Sequence, residues 1–89
     1  MDPFEQLQQQ FVASFEAKAT ALEQALAENN VQALTVKLHQ LAGSSGSYGF
    51  ADMAQLCADI ETMAQQATDL NPAITSHTQR LIQLLRQPG

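Results

Sequence analysis

Among the side chains able to act as nucleophiles or bases, His39 stands in the most distinctive company, within His39-Gln40-Leu41-Ala42-Gly43-Ser44-Ser45-Gly46. The surrounding apolar residues Val31, Leu34, Leu38 and Leu41, with Ser45, recur at helical spacing. At roughly 100° per residue, His39 falls about 130° from the centre of that stripe, so its imidazole is expected to point outward. Gly43 follows one turn later and Gly46 two turns later. A glycine inside a helix costs about 1 kcal/mol relative to alanine. Two of them beside an exposed imidazole point to something that must approach the ring closely. The plainer alternative is a helix that loosens toward its end.

Glu61 is the natural companion. If the helices on either side of Gly49 form an antiparallel hairpin, His39 lies ten residues before the turn and Glu61 twelve after it. At a rise of about 1.5 Å per residue the two reach nearly the same height. Both are displaced from their apolar stripes in the same rotational sense, which opens onto one shared groove. A carboxylate there can bond one ring nitrogen and leave the other free as a nucleophile. An ordinary solvated helix face is the competing reading for Glu61.

Other reactive residues carry weaker signals. Cys57 falls in the middle of an apolar face and reads as a small core residue. It also stands alone, so neither an internal disulfide nor a cysteine zinc site is expected. His77 borders an apolar stripe and is expected to pack at its boundary. With His39 it lacks a third ligand at a plausible spacing, so no metal site is expected. Tyr48 is expected to pack at the hairpin end. Gly46-Ser47-Tyr48-Gly49 has neither the preceding strand nor the Lys-Ser/Thr pair of a phosphate loop. The serines form no Ser-His-Asp or Ser-Lys pattern, so hydrolase chemistry is unsupported.

Four helices must position these residues. Asp2-Pro3 supplies a cap and a first-turn proline. Phe4, Leu7, Phe11, Phe15, Ala19, Leu22 and Leu26 then mark one long helix, closed at Asn29-Asn30. Asn30 caps the second helix, and Gly49 suits a left-handed helix end. Met53, Leu56, Cys57, Ile60, Met63 and Ala64 form the third stripe. Thr68 to Pro72 is the last break, with Asn71-Pro72 repeating the cap-then-proline signal. Ile74, His77 or Thr78, Leu81, Leu84 and Leu85 mark the fourth helix, which Pro88-Gly89 ends. No segment alternates as a strand would. The expectation is an all-α, antiparallel up-down four-helix bundle, a single domain over residues 1–89, folding as a monomer.

Composition narrows the field. The 89-residue chain has a formal charge of −5 and only four Lys and Arg, none clustered. Nucleic acid and anionic membranes are therefore unfavourable partners. No run approaches the roughly 20 apolar residues of a membrane span. The acidic start Met1-Asp2-Pro3-Phe4-Glu5-Gln6 is unlike a basic secretory leader, and a cytoplasmic location is expected.

His39-Gln40-Leu41-Ala42-Gly43-Ser44-Ser45, then Gly49, Leu56-Cys57 and Ile60-Glu61, resembles the signature of histidine-containing phosphotransfer (HPt) domains. That signature reads His-x-Leu-Lys-Gly, two small residues, three variable residues and Gly. It continues as Leu-x-x-x-Cys-x-x-Leu, followed by Glu or Gln. The likeness covers positions 39 to 61, while the flanking helices agree only in pattern. Ala42 stands where many members have Lys, and Met53 and Ile60 where Leu is usual. Lys37 cannot replace the missing cation, because it faces nearly the opposite way from His39.

The resemblance implies that His39 carries a phosphoryl group between receiver-domain aspartates and that Glu61 orients its ring. Gly43, with Val36, Gln40 and Gly46, would meet the receiver. The expected partners are response-regulator receiver domains and hybrid sensor kinases. No cofactor of its own is expected, Mg²⁺ residing on the receiver. Without a nucleotide-binding motif the chain is not expected to be a kinase. The rival function is a helical adaptor that binds a receiver or another partner without phosphoryl chemistry.

Overall fold

Asx side chains start three of the helices. In the computed structural model, which describes residues 2–87, Asp2 Oδ1 accepts the Phe4 amide at 3.0 Å. Asn30 Oδ1 accepts that of Ala33 at 3.0 Å, and Asn71 Oδ1 that of Ile74 at 2.8 Å. Each satisfies a donor that the first helical turn leaves open. The resulting elements are α1 (Pro3–Ala13), α2 (Phe15–Ala27), α3 (Val31–Ser47), α4 (Ala51–Gln65) and α5 (Pro72–Arg86). There is no strand among the described residues.

The long first helix expected from the sequence is divided at Ser14. The Ser14 amide reaches only three residues back, to Phe11 O at 3.0 Å. Its hydroxyl donates to the same carbonyl at 2.6 Å. A side chain competing for a backbone acceptor tightens the turn and interrupts the regular ladder.

Four helices then close a ring: α2 packs on α3, α3 on α4, α4 on α5, and α5 back on α2. Phe15, Leu22, Leu34, Leu38, Ile60, Ile74, Leu81 and Leu85 are fully buried between them. The stripe of α5 differs from expectation. Ile82 is buried and Leu84 exposed, because α5 packs against both α2 and α4 and its buried face extends to the Ile82 side. Thr78 occupies the buried place and His77 is exposed. The break before α5 begins at Gln66 rather than Thr68. The proposed stop at Pro88-Gly89 lies outside the described residues.

The hairpin between α3 and α4 turns on Gly49, whose φ is +85°. Phe50 N bonds Ser45 O at 2.8 Å and Gly49 N bonds Gly46 O, the paired closure of a left-handed helix end. Asn29, at φ +51°, ends α2 with the same pair of bonds. Tyr48 packs at the hairpin end as expected, its ring 4.8 Å from that of Phe11. Phe50 packs there too, against Phe11 and Phe15. Gln8 donates to Tyr48 O at 2.7 Å, so α1 spans the turn.

Candidate functional site

His39 sits midway along α3, anchored by Leu38 and Leu41, which are buried on the opposite side. Its side chain is 76% exposed, whereas that of Glu61 on α4 is 15% exposed. The matched height and sense read from the sequence bring them together: His39 Nδ1 lies 2.9 Å from Glu61 Oε2. An ionised carboxylate is acceptor-only, so in this contact the hydrogen belongs on Nδ1, and a neutral ring then presents its Nε2 lone pair away from Glu61. Gln65, one turn beyond Glu61, donates to the same Oε2 at 3.3 Å. Sequence reasoning missed Gln65, although its i+4 spacing from Glu61 is a readable signal.

Cys57, one turn before Glu61, is fully buried. Burial, reinforced by the nearby Glu61 charge, pushes its thiol up to about 12. It is a protonated core residue at neutral pH and not a nucleophile.

Gly43 and Gly46 lie on the exposed side of α3, in a groove of about 530 Å³ shared with α4. Ala42, Ala54 and Ala58 line it, with His39 and Glu61 also on its walls. A Cβ built on Gly43 would meet nothing within 4 Å, and one on Gly46 would make only ordinary contact with Ala54. Neither glycine is therefore demanded by packing within the chain. Gln40 lies on the other flank of α3, in a shallow depression that also takes in His39, Gly43, Ser44 and Ser47. Val36, three residues before His39, is 55% exposed.

Among the described residues no cation lines the α3–α4 groove. Ala42 is half-buried against the core, and Lys37 lines a separate groove against α2. His77 is exposed on α5, where its Nδ1 bonds Ala73 O at 2.7 Å, rather than packing at the boundary. Among the described residues no three His, Cys, Asp or Glu side chains gather as metal ligands would. Nor is any described helix long and apolar enough to cross a membrane.

An exposed imidazole with one nitrogen held and the other free, beside an unobstructed glycine surface, suits a nucleophile that meets a macromolecular donor. In comparisons with known proteins, the family model of the Hpt domain matches residues 6–88. No curated protein and no solved structure matches the chain.

Proposed function

The chain belongs to the Hpt domain family, phosphocarriers that work with receiver domains in two-component phosphorelays, and on that premise we propose that His39 is the phosphoryl-carrying residue. Its Nε2 attacks the phosphorus of a receiver aspartyl phosphate. An N–P bond forms, the acyl O–P bond breaks, and the aspartate leaves as a carboxylate. The ring becomes positively charged at that moment, and Glu61 on Nδ1 both steadies the charge and holds the orientation. Transfer to a second receiver is the same step reversed.

Most of the charge stabilisation on the phosphoryl oxygens falls to the receiver and its Mg²⁺, since Ala42 offers none. Gly43 and Gly46 after His39, Gln40 next to it and Val36 before it form the surface on which the receiver closes. The observation that carries this reading is the 2.9 Å contact that leaves Nε2 outermost.

Incubation with phosphorylated receiver domains, followed by intact mass, tests it. The expected result is one added phosphoryl group that is lost in acid and absent from His39→Gln. A label that survives in His39→Gln overturns the reading. The lack of a cation in the groove favours one alternative, an adaptor that binds receivers without accepting phosphate. That alternative predicts a complex with a receiver but no adduct in any mixture.

A further inference from the structure

The chain is strongly acidic and has only four Lys and Arg residues. Arg86 is committed within the molecule, bonding Glu23 at 2.7 Å and Glu16 at 3.1 Å. Arg80 is exposed on α5. The remaining two, Lys18 of α2 and Lys37 of α3, line one groove of about 360 Å³ together with Gln40 and Ser44. Neither forms an ion pair among the described residues.

That groove adjoins the phosphorylation site. Gln40 and Ser44 also line the depression that contains His39 and Gly43, so they form a ridge shared by the two. On the far side of His39 the charge is reversed: Glu61 stands in the α3–α4 groove. The surface around His39 is thus positive toward α2 and negative toward α4. Lys18 is also partly ordered in advance. It is half-buried, with Nζ 5.6 Å from the centre of the Phe11 ring, which lowers the entropy lost when it meets a partner.

We propose that the Lys18–Lys37 groove is the positive half of the receiver docking surface and takes an acidic shoulder of the receiver beside its aspartyl phosphate. The proposal rests on the carrier reading above. The partner's chemistry supports the match, because the aspartate that accepts the phosphoryl group and the carboxylates needed to hold Mg²⁺ make that face of a receiver acidic with or without phosphate. Complementary fields raise encounter rates and fix which way round two surfaces meet. Charges are screened over about 8 Å at physiological ionic strength. The lysines therefore act on the approaching carboxylates and on orientation, while the reacting phosphorus remains with the groups at His39.

The test uses the full chain and receiver domains encoded in the same genome, measuring affinity for the unphosphorylated receiver separately from the phosphotransfer rate. Lys18→Glu with Lys37→Glu should slow association by about tenfold or more at low ionic strength. The loss should shrink to within about twofold at high salt. Lys18→Arg with Lys37→Arg should behave as wild type. Arg80→Glu, a charge reversal of the same size on α5, should leave both readouts unchanged. The proposal is overturned if the lysine reversal binds receivers as wild type does, or if Arg80→Glu weakens binding equally. A change in sedimentation of the free lysine variant would also overturn it, marking the groove as a contact between copies. Because binding is read without phosphate, a wild type that binds but never becomes phosphorylated refutes the carrier reading and still decides the groove.

Discussion

His39 Nδ1 and Glu61 Oε2 lie 2.9 Å apart on neighbouring antiparallel helices, in residues twenty-two positions apart in the chain. The two partners differ sharply in exposure, 76% for the imidazole and 15% for the carboxylate. The accepting group is thus held in the groove and the ring projects from it. Such a pair fixes direction without hiding the reactive atom. Three consequences for transfer follow from this placement, and two concern the scaffold.

His39→Gln should abolish phosphoryl acceptance and leave the helical signal unchanged, because the side chain faces solvent. His77→Gln, on exposed α5 surface, should transfer as wild type. Intact mass after exposure to a phosphorylated receiver, with circular dichroism alongside, measures both.

Glu61→Ala should slow transfer by about tenfold to a hundredfold without eliminating it, since a misplaced nucleophile still collides productively at times. Nitrogen NMR of the free protein should show the Nδ1–H tautomer in wild type and a mixture in the variant. A wild-type ring that already populates both tautomers equally would contradict the hydrogen bond.

Gly43→Gln separates docking from chemistry. The position is open within the chain, and Gln is a better helix former than Gly, so the melting temperature should hold or rise. Transfer from a receiver should fall severely, because the aspartyl phosphate must come within about 3–3.5 Å of the attacking nitrogen. Phosphoramidate, which needs no protein surface, should label the variant nearly as well as wild type wherever it labels wild type. Equal failure with both donors would instead mean damage to the ring's surroundings.

Cys57 should not react with aromatic disulfides in the folded protein at neutral pH, and should do so on unfolding. Burial, with the Glu61 charge nearby, pushes the thiol up from the ordinary cysteine range of about 8.5–9 to about 12. The folded state therefore holds the proton more tightly, and this contribution to stability is fully present below about 9 and lost as pH rises toward about 12. Urea midpoints measured across that range, against Cys57→Ala, would show whether the descent belongs to this thiol.

Leu38→Ala should cost roughly 2–5 kcal/mol, because the side chain is fully buried. Gly49→Ala should cost about 1–2 kcal/mol through its left-handed backbone at φ +85°. Gly43→Ala, with helical geometry and open space, should not destabilise. Denaturant titration of the three variants makes the comparison.

Local signals were the legible ones. The Asp2, Asn30 and Asn71 caps and the Gly49 turn depend on a few adjacent residues, and each is present with its bonds. The His39–Glu61 pairing was legible too, since one short hairpin fixes both heights. Ser14 was not, because a serine in a helical pattern gives no notice of which carbonyl its hydroxyl will take. Phe4 and Leu7 continue the apolar spacing yet stay exposed. What they can pack against depends on where the α3–α4 hairpin ends, which periodicity does not encode. Ile82 and Leu84 exchanged roles for a similar reason: the width of a buried face is set by two neighbours, not by the helix itself. Gln65 needed only the spacing from Glu61.

The interruption at Ser14 also separates two levels of cooperativity. Residues before it reach the rest of the molecule mainly through Phe11 and the Gln8 bond to the turn, whereas α3 is clamped on both sides by α2 and α4. Amide protons in the first two turns of α1 should exchange with solvent through small local openings. Those in α3 around His39 should wait for global unfolding. The leading segment can fray and re-form many times while the imidazole keeps its bearing.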